Sequence, residues 1–524
     1  MSADDVSSPA RHQTRQFTYT DTDRQRGVTI TIDDSRDDLL TDFGKQTLTD
    51  RYLIPGESYQ DLFARVACAN SDEIVWGDAD SGHAQMVYDA ISQLWFMPAT
   101  PVLTNSGLDR GLPISCFLNK VYDSMESIAE TVNENIWLAS KGGGIGTSWA
   151  PVRSIGEPIA GSMTGTTSGI IPFIHWMNAQ TLAISQGSLR RGSAAAYIDC
   201  HHPELEEFLT IRKPASGGDQ RRKAEDLHHG LLVSDEFMDA AFSDNEEDRQ
   251  WDLLSPKTGE VRKTVDARKI LVKILQMRLE TGEPYIIFEG NVEREIPETY
   301  KALGLKPTQS NLCSEIVLHT GLDHRGKERT AVCCLSSLNV EKWDEWKGNV
   351  EFLEAVQRFL DNVLEIFIEK TKDMPGFERA RYAAMAERSV GLGMMGFHSL
   401  LQRNEIPYES KAAQELNLDI WTYLAKVSAD IDLKLAEERG PCIDWIDAHR
   451  AVGDEAGPKT RNTHRFSIAP TASISIICGG ASPAGELWPA NVFTQKTLSG
   501  SFTVRNKYLD AQLRRRYNQL RDTL

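Results

Sequence analysis

Asn311-Leu312-Cys313-Ser314-Glu315 lies between two short apolar runs, Tyr285-Ile286-Ile287-Phe288 and residues 330–335, which have the composition of β-strands. Helical patterns follow: apolar residues recur at helical spacing over residues 352–371 and from about 411 to 439. Strands that alternate with helices favour a parallel sheet built of βαβ units. The sequence therefore predicts an α/β fold.

Composition divides the chain into three parts. Residues 1–39 are polar and show no sustained period, so we predict a disordered arm there. Residues 40–97 carry helical apolar patterns that end at Pro98 and predict a helical region. Residues 98–524 hold the alternating pattern and are predicted to form one α/β domain.

The bulk composition excludes several classes of protein. A net charge of −18 argues against a surface for DNA or RNA, because phosphate neutralisation needs clustered Lys and Arg. Mean hydropathy is −0.37, and no apolar run approaches the roughly 18 residues of a membrane span. The N-terminus lacks the apolar core of a secretory signal. We expect a cytoplasmic protein with no membrane contact and with its eight cysteines reduced unless they are catalytic.

Residues 311–315 combine an amide, a thiol and a carboxyl. In an extended segment the side chains of Asn311, Cys313 and Glu315 would project to one side. Glu315 would oppose thiolate formation by like-charge repulsion, so Cys313 suits one-electron chemistry better than nucleophilic attack. The alternative is a buried structural cysteine, which is a common location for that residue type.

Two further cysteines could form a redox pair if the fold brings them together. Cys116 and Cys333 could supply two electrons by closing to a disulfide, although spacing cannot show that they are close. Cys334 would point away from Cys333 on a strand and is predicted to lie in the core.

Two segments could contact a ligand through their backbone. The glycines of residues 142–146 would let the backbone approach a ligand, although a turn that ends a helix explains them equally well. Residues 469–475 follow a predicted strand at 466–469 and should open a helix, where unpaired N–H groups can bind phosphate. An ordinary N-cap is the alternative.

Two other patterns are weak. Residues 391–396 match G-x-G-x-x-G, but the segment has the pattern of a helix and not of a buried strand before a turn. The pairs His201-His202 and His228-His229 are predicted to be surface histidines, and no metal site is expected.

Taken together and in order, these segments resemble the large (α) subunit of class I ribonucleotide reductase. The resemblance covers about residues 45–510. It rests on seven segments: Pro98-Ala-Thr-Pro-Val-Leu, Ser115-Cys-Phe-Leu, Gly142-Gly-Gly-Ile-Gly, Gln186-Gly-Ser-Leu-Arg-Arg-Gly, Asn311-Leu-Cys-Ser-Glu, Ala331-Val-Cys-Cys-Leu-Ser-Ser-Leu-Asn and Pro470-Thr-Ala-Ser-Ile-Ser.

The resemblance implies a ten-stranded α/β barrel of two half-barrels with a central finger loop. It implies that Cys313 is the thiyl radical that takes the 3′-hydrogen of the substrate ribose, in a site closed to water. Glu315 would accept the 3′-hydroxyl proton, Asn311 would bind the sugar, and Cys116 and Cys333 would reduce the 2′ position as they form a disulfide. The expected substrate contacts, chiefly to the diphosphate, are Thr100, Ser115, Gly144, Thr471, Ala472, Ser473, Ile474 and Ser475.

The resemblance also implies an allosteric site and partners. Asp123, Arg153, Gln186 and Arg191 match residues of a specificity site for a deoxyribonucleoside triphosphate or ATP. A metal-containing β subunit would supply the radical, and thioredoxin or glutaredoxin would reduce the disulfide. The chain itself would bind no metal or other cofactor, would form a homodimer, and would act on ribonucleoside diphosphates.

The sequence departs from the family pattern at both ends. No ATP-cone domain precedes residue 40, and the resemblance fades after residue 507, before the expected tyrosine pair, last barrel strand and cysteine pair. We therefore expect an N-terminal part of a split subunit, completed by a separate C-terminal polypeptide, or else an intein-interrupted or truncated product. An adenosylcobalamin-dependent reductase and a non-catalytic nucleotide-binding fragment are the alternative functions.

Overall fold

A computed structural model describes residues 14–159, 161, 163–184, 192–214, 218–453, 457–497 and 500–523. None of the helices in these ranges combines the length and the apolar character needed to cross a bilayer.

The N-terminal region is a β-hairpin followed by short helices. Its elements in chain order are β1 (Thr14–Asp21), β2 (Arg26–Asp33), a 3₁₀ helix (Asp34–Leu39), α1 (Asp42–Arg51), α2 (Tyr59–Ala69), α3 (Asp72–Val75), α4 (His83–Ser92), β3 (Phe96–Pro98) and α5 (Thr100–Asn105). The helices expected over residues 40–97 are present.

The predicted disorder of residues 1–39 is wrong for residues 14–39. β1 and β2 pair antiparallel along their whole length, and the hydroxyls of Thr18 and Thr29 hydrogen-bond across the ladder at 2.9 Å. Ile30 and Ile32 alternate on β2 and are buried in the core. The alternation of apolar and polar residues in β2 is short and lies among charged residues. A reading based on composition therefore missed this strand.

The remaining chain alternates strands and helices. Up to the segment of Cys313 its elements are β4 (Cys116–Lys120), α6 (Met125–Ser140), β5 (Gly144–Ser148), α7 (Ile171–Ala183), β6 (Ser193–Asp199), α8 (Leu205–Phe208), a 3₁₀ helix (Gln220–Arg222), β7 (His228–Val233), α9 (Asp235–Phe242), β8 (Gln250–Leu254), β9 (Val261–Asp266), α10 (Ala267–Thr281), β10 (Tyr285–Phe288), α11 (Glu289–Glu295) and α12 (Glu298–Leu303).

Beyond that segment the alternation continues with longer helices. The elements are β11 (Gly321–Leu322), β12 (Glu328–Arg329), β13 (Ala331–Val332), β14 (Leu335–Asn339), a 3₁₀ helix (Val340–Lys342), α13 (Trp343–Trp346), α14 (Val350–Lys370), α15 (Glu378–Glu387), β15 (Gly391–Met395), α16 (Phe397–Arg403), α17 (Lys411–Arg439), α18 (Ile443–Val452), α19 (Ile474–Ile477), β16 (Val492–Thr497), β17 (Gly500–Arg505) and α20 (Lys507–Thr523). The two long helices predicted from periodicity are α14 and α17.

Two sheets form the barrel region. The first has the order β10-β7-β6-β5-β4-β13, and all its neighbours are parallel except β13, which is antiparallel to β4. The second places β14 between β15, which is parallel to it, and β3, which is antiparallel. The predicted α/β architecture with parallel strands is confirmed.

The second sheet differs from the sequence prediction at two places. Residues 391–396 were predicted to be helical, but β15 is a buried strand. The predicted strand at 466–469 is reduced, in the described residues, to one parallel bridge between Phe466 and Leu392. In the described residues, the first half of the expected ten-stranded barrel corresponds to the parallel strands β4, β5, β6, β7 and β10. The second half is represented by β14, β15 and this bridge.

Candidate active site

The segment of Cys313 is a turn, so the condition of an extended segment is not met. Asn311 Oδ1 accepts hydrogen bonds from the backbone N–H of Glu315 at 3.1 Å and of Ile316 at 3.2 Å, which folds the chain back on itself. Ser314 has φ +64°, in the left-handed region. The three side chains are therefore brought together by a turn, and strand alternation does not apply to them.

Glycines on β5 let this turn approach the sheet closely. A Cβ at Gly146 would lie 2.1 Å from the carbonyl oxygen of Ser310, and one at Gly144 would lie 2.9 Å from a methyl carbon of Leu312. The Tyr197 hydroxyl on β6 donates to the carbonyl of Asn311 at 2.5 Å. The glycine cluster thus serves the packing of the turn, and Gly144 lies beneath Leu312 and not on the cavity wall.

One cavity of about 230 Å³ brings the separate sequence motifs together. Most of the residues predicted from the sequence line it: Thr100, Ser115, Cys116, Cys313, Glu315, Cys333, Thr471, Ala472, Ser473 and Ile474. Residues that are more than 350 positions apart in the chain therefore share one wall. Ser475 is not among them, because its N–H is bonded to the carbonyl of Thr471 at 2.8 Å on the buried side of the turn.

Cys116 and Cys333 are neighbours. The N–H of Cys333 donates to the carbonyl of Cys116 at 3.1 Å, and neither residue is in a disulfide. Burial, followed by the hydrogen bond with the Cys116 side chain, raises the pKa of Cys333 well above the ordinary value. A thiol that stays protonated in this way can still donate hydrogen and electrons in radical chemistry. Cys334 points to the opposite side, where its Sγ donates to the carbonyl of Leu360 at 3.4 Å, so its predicted core position is confirmed.

Glu315 and Asn311 each have one polar atom that is buried and lacks a hydrogen-bond partner within the described part of the chain: Oε2 of Glu315 and Nδ2 of Asn311. Burial raises the pKa of Glu315 above the ordinary 4.5, while the nearby side-chain amide of Asn311 opposes the shift. An unpaired buried carboxyl oxygen is costly unless a ligand contacts it. Glu315 lines the cavity, so its unpaired oxygen is a candidate for substrate contact, whereas Asn311 is fully buried and is not among the lining residues.

Cys313 differs from the expectation of a closed site, because its side chain is exposed. It is one of the residues that line the cavity. Substrate or another protein segment must cover the thiol before a radical there is protected from water.

The turn at residues 471–474 has the features of an anion site. Within the described ranges, no acceptor is found for the backbone N–H groups of Ala472, Ser473 and Ile474. Arg51, from α1, reaches this turn, with a guanidinium nitrogen 3.4 Å from Ser473 Oγ. Sequence reasoning missed Arg51, since no motif connects α1 with residues 471–474 and only the fold places them side by side.

The predicted allosteric residues are described in part. Arg153 Nε donates to Asp123 Oδ1 at 2.7 Å, and both side chains are partly exposed. The hydrogen bond with Asp123 raises the pKa of Arg153. Gln186 and Arg191 lie outside the described residues.

The histidine pairs are not all at the surface. His202 and His229 are buried at 1% and 0% exposure, which contradicts the prediction, because each packs against neighbouring elements and contacts an acceptor. Among the described residues, no group of three or more His, Cys, Asp or Glu side chains is arranged to hold a metal ion.

Comparisons with known proteins agree with this geometry. A family model described as the barrel domain of ribonucleotide reductase matches residues 114–523, and one described as its all-alpha domain matches residues 38–111. The ribonucleoside-diphosphate reductase large subunit of Invertebrate iridescent virus 3 is 36% identical, over 94% of this chain and 81% of the relative.

Two further relatives extend the comparison. The ribonucleoside-diphosphate reductase subunit alpha of Chlamydia pneumoniae is 30% identical over 92% of this chain, which spans only 51% of that protein. The solved structure of the class Id ribonucleotide reductase alpha subunit of Actinobacillus ureae superposes with a TM-score of 0.75 at 29% identity, over 91% of this chain and 79% of that one.

Proposed function

Because the chain belongs to the ribonucleotide reductase large-subunit family, we propose that its cavity reduces the 2′ position of a ribonucleoside diphosphate by thiyl-radical chemistry. The observation that carries the proposal is the single cavity lined by Cys313, Glu315, Cys116 and Cys333 next to the turn at residues 471–474. A radical donor, a base, a dithiol and an anion site are the groups that this reaction needs.

The roles of the three cysteines and of Glu315 follow from their position in the cavity, and the role of Asn311 rests on the family resemblance. Cys313, as a thiyl radical, takes the 3′-hydrogen, while Glu315 accepts the 3′-hydroxyl proton and Asn311 binds the sugar through its unpaired amide. The 2′-hydroxyl leaves as water. Cys116 and Cys333 supply the two electrons and two hydrogens and become a disulfide. Cys313 then returns its hydrogen to C3′, and Glu315 returns its proton to the 3′-oxygen.

The anion site holds the diphosphate. Ala472, Ser473 and Ile474 line the cavity, and their backbone N–H groups have no acceptors in the described structure. Thr100 and Ser115 add hydroxyl groups. Arg51 contributes positive charge close to Ser473. Backbone amides and a nearby guanidinium are the usual ligands of a phosphate.

The proposed role of Cys313 is tested by Cys313→Ala, assayed with the radical-generating subunit. Deoxyribonucleotide formation should fall below detection, while diphosphate binding, measured by calorimetry, stays within about threefold of the unaltered chain. Cys442→Ala removes a buried thiol far from the cavity and serves as the control. Turnover by Cys313→Ala equal to that of the control would contradict the proposal.

The radical comes from a metal-containing β subunit, and thioredoxin or glutaredoxin reduces the Cys116–Cys333 disulfide. A specificity site for a deoxyribonucleoside triphosphate or ATP includes Asp123 and Arg153, with Gln186 and Arg191. The Arg153 guanidinium is oriented by Asp123, which leaves it fixed for phosphate contact.

A further extended segment from a separate C-terminal polypeptide completes the barrel. In the described residues β10 lies at the edge of its sheet, and a second cavity of about 360 Å³ lies between α11 and residues 464–467. That cavity borders Glu315 and Cys333, so a segment placed there would cover the site.

The test of this partner is an assay of the chain with the radical-generating subunit, with and without a candidate C-terminal polypeptide. Turnover should require the added polypeptide. Full activity of the 524 residues without it would defeat the idea.

A further inference from the structure

The two cysteines of the proposed redox pair sit at one end of a very short ladder. β13 contributes two residues, with Ala331 opposite Leu118 and Val332 opposite Phe117. The bond from Cys333 N–H to the Cys116 carbonyl extends it by one position. A ladder with so few hydrogen bonds restrains the separation of β13 and β4 only weakly. Another contact must therefore hold the two strands in register.

Glu134 closes the opposite end of this ladder. Its Oε1 accepts a hydrogen bond from Thr330 Oγ1 at 2.6 Å, and its Oε2 accepts one from Asn119 Nδ2 at 3.1 Å. Thr330 is three residues before Cys333, and Asn119 is three residues after Cys116. One carboxyl group of α6 therefore ties together the two chain segments that carry the cysteines.

The surroundings show that this carboxyl is held in place. Glu134 is 5% exposed, and Asn119 is fixed further by Asn135 at 2.8 Å and by Thr147 at 2.8 Å. Arg379 lies 3.9 Å from Glu134, but its closer partners are Glu130 and Glu328. Burying a carboxyl without a close cation costs free energy. The two hydrogen bonds to the ladder offset part of that cost.

We propose that Glu134 is a positioning residue for the redox pair: by locking Thr330 to Asn119 it sets the distance between the Cys116 and Cys333 sulfurs at which a disulfide closes. The inference rests on the proposed function, since it assumes that these two thiols form that bond. Disulfides tolerate only a narrow range of Cα and Cβ separations, so a ladder that drifts open disfavours closure.

The experiment measures the thiol–disulfide equilibrium of the full chain in glutathione buffers. Two protein thiols and one oxidised glutathione give one protein disulfide and two reduced glutathiones, and alkylation with mass spectrometry counts both protein forms. Burial raises the pKa of Glu134 to about 7. The buffer is therefore held at about pH 8, where the carboxylate accepts both bonds.

Glu134→Ala should shift the equilibrium at least tenfold toward the dithiol, because the released ladder lowers the effective concentration of one thiol near the other. Glu134→Gln should stay within threefold of the unaltered chain, since its amide oxygen can accept from Asn119 while the Thr330 hydroxyl turns and accepts from the amide. Glu130→Gln, on the same helix but exposed, is the matched control.

Thr330→Val removes only the hydroxyl and should shift the equilibrium in the same direction, which keeps the test valid if Glu134→Ala does not fold. Thermal unfolding of each variant is recorded in parallel. A lower unfolding temperature with an unchanged equilibrium would mean that Glu134 is only structural, and would overturn the inference. An unaltered chain that forms no Cys116–Cys333 disulfide would instead overturn the redox pair, and this inference with it.

Discussion

Glu315 illustrates at the residue scale how the turn tunes a single side chain. The turn buries the carboxyl next to Asn311, and burial raises its pKa above 4.5 although the amide contact opposes this. A base with a raised pKa holds its proton better after accepting it from a sugar hydroxyl. The position therefore suits proton transfer at a pH where an ordinary carboxylate is a weaker base.

Glu315→Gln keeps the shape and removes the base. We expect kcat to fall by at least about 10²-fold while KM for the diphosphate changes little, because positioned bases contribute factors of that order. Because the pKa of Glu315 is raised in the folded protein, its carboxyl becomes protonated at a higher pH than that of an ordinary glutamate. The acid limb of kcat/KM should thus lie above pH 4.5 and vanish in the variant.

The control is Glu298→Gln, which changes an exposed carboxyl on α12 that lines neither cavity. Steady-state formation of deoxyribonucleoside diphosphate across the pH range is the measurement. A Glu315→Gln profile that keeps both the rate and the acid limb would show that another group is the base.

At the scale of elements, one carboxylate joins α14, α15 and α17. Asp361 on α14 is fully buried and accepts from Arg388 at 3.0 Å, Arg439 at 2.7 Å and Arg461 at 3.1 Å. Burial alone would raise the pKa of Asp361, but the three guanidinium groups hold it well below the ordinary value. The junction between these helices therefore depends on the buried carboxylate of Asp361, which needs guanidinium groups from several segments to stay ionised.

Asp361→Asn should lower the free energy of unfolding at neutral pH by about 3–5 kcal/mol, because it leaves buried guanidinium groups without their shared partner. The native pKa is depressed, so the stabilisation exists above the unfolded pKa and is lost only as pH falls through the native value. Urea unfolding should show the deficit from neutral pH down into acid. Asp430→Asn, at an exposed position of α17, should stay within about 0.5 kcal/mol.

At the scale of the whole molecule, α6 and α7 carry large apolar side chains that face solvent. Ile136 and Trp137 are each 38% exposed, and Trp176 and Leu182 are 47% and 58% exposed. The two helices pack together beside Asp123, where α6 begins. We propose that a second copy of the chain covers this surface, as the resemblance to oligomeric large subunits predicted.

Trp137→Glu should weaken self-association by at least tenfold, because it places a charge in an apolar interface. Sedimentation equilibrium over a concentration series measures the dissociation constant. Leu279→Glu, at a 90% exposed position of α10, is the matched control and should leave association unchanged. Equal dissociation constants for the two variants would place any dimer interface elsewhere.

Local sequence was sufficient for much of the architecture and chemistry. Periodicity alone located α14 and α17 closely, and the apolar run at Tyr285–Phe288 is β10. Residue chemistry and motif order identified Cys313, Glu315, Cys116 and Cys333 as candidates. These features depend on neighbours within a few residues, or on motifs that can be read along the chain.

Only the tertiary structure decided which of those residues meet and how. It placed Cys116 beside Cys333, brought Arg51 to residues 471–474, turned the Cys313 segment by means of Asn311, and made residues 391–395 a buried strand. Each outcome depends on contacts between segments that are distant in sequence. Their energies come from packing and long-range hydrogen bonds, which a local pattern does not encode.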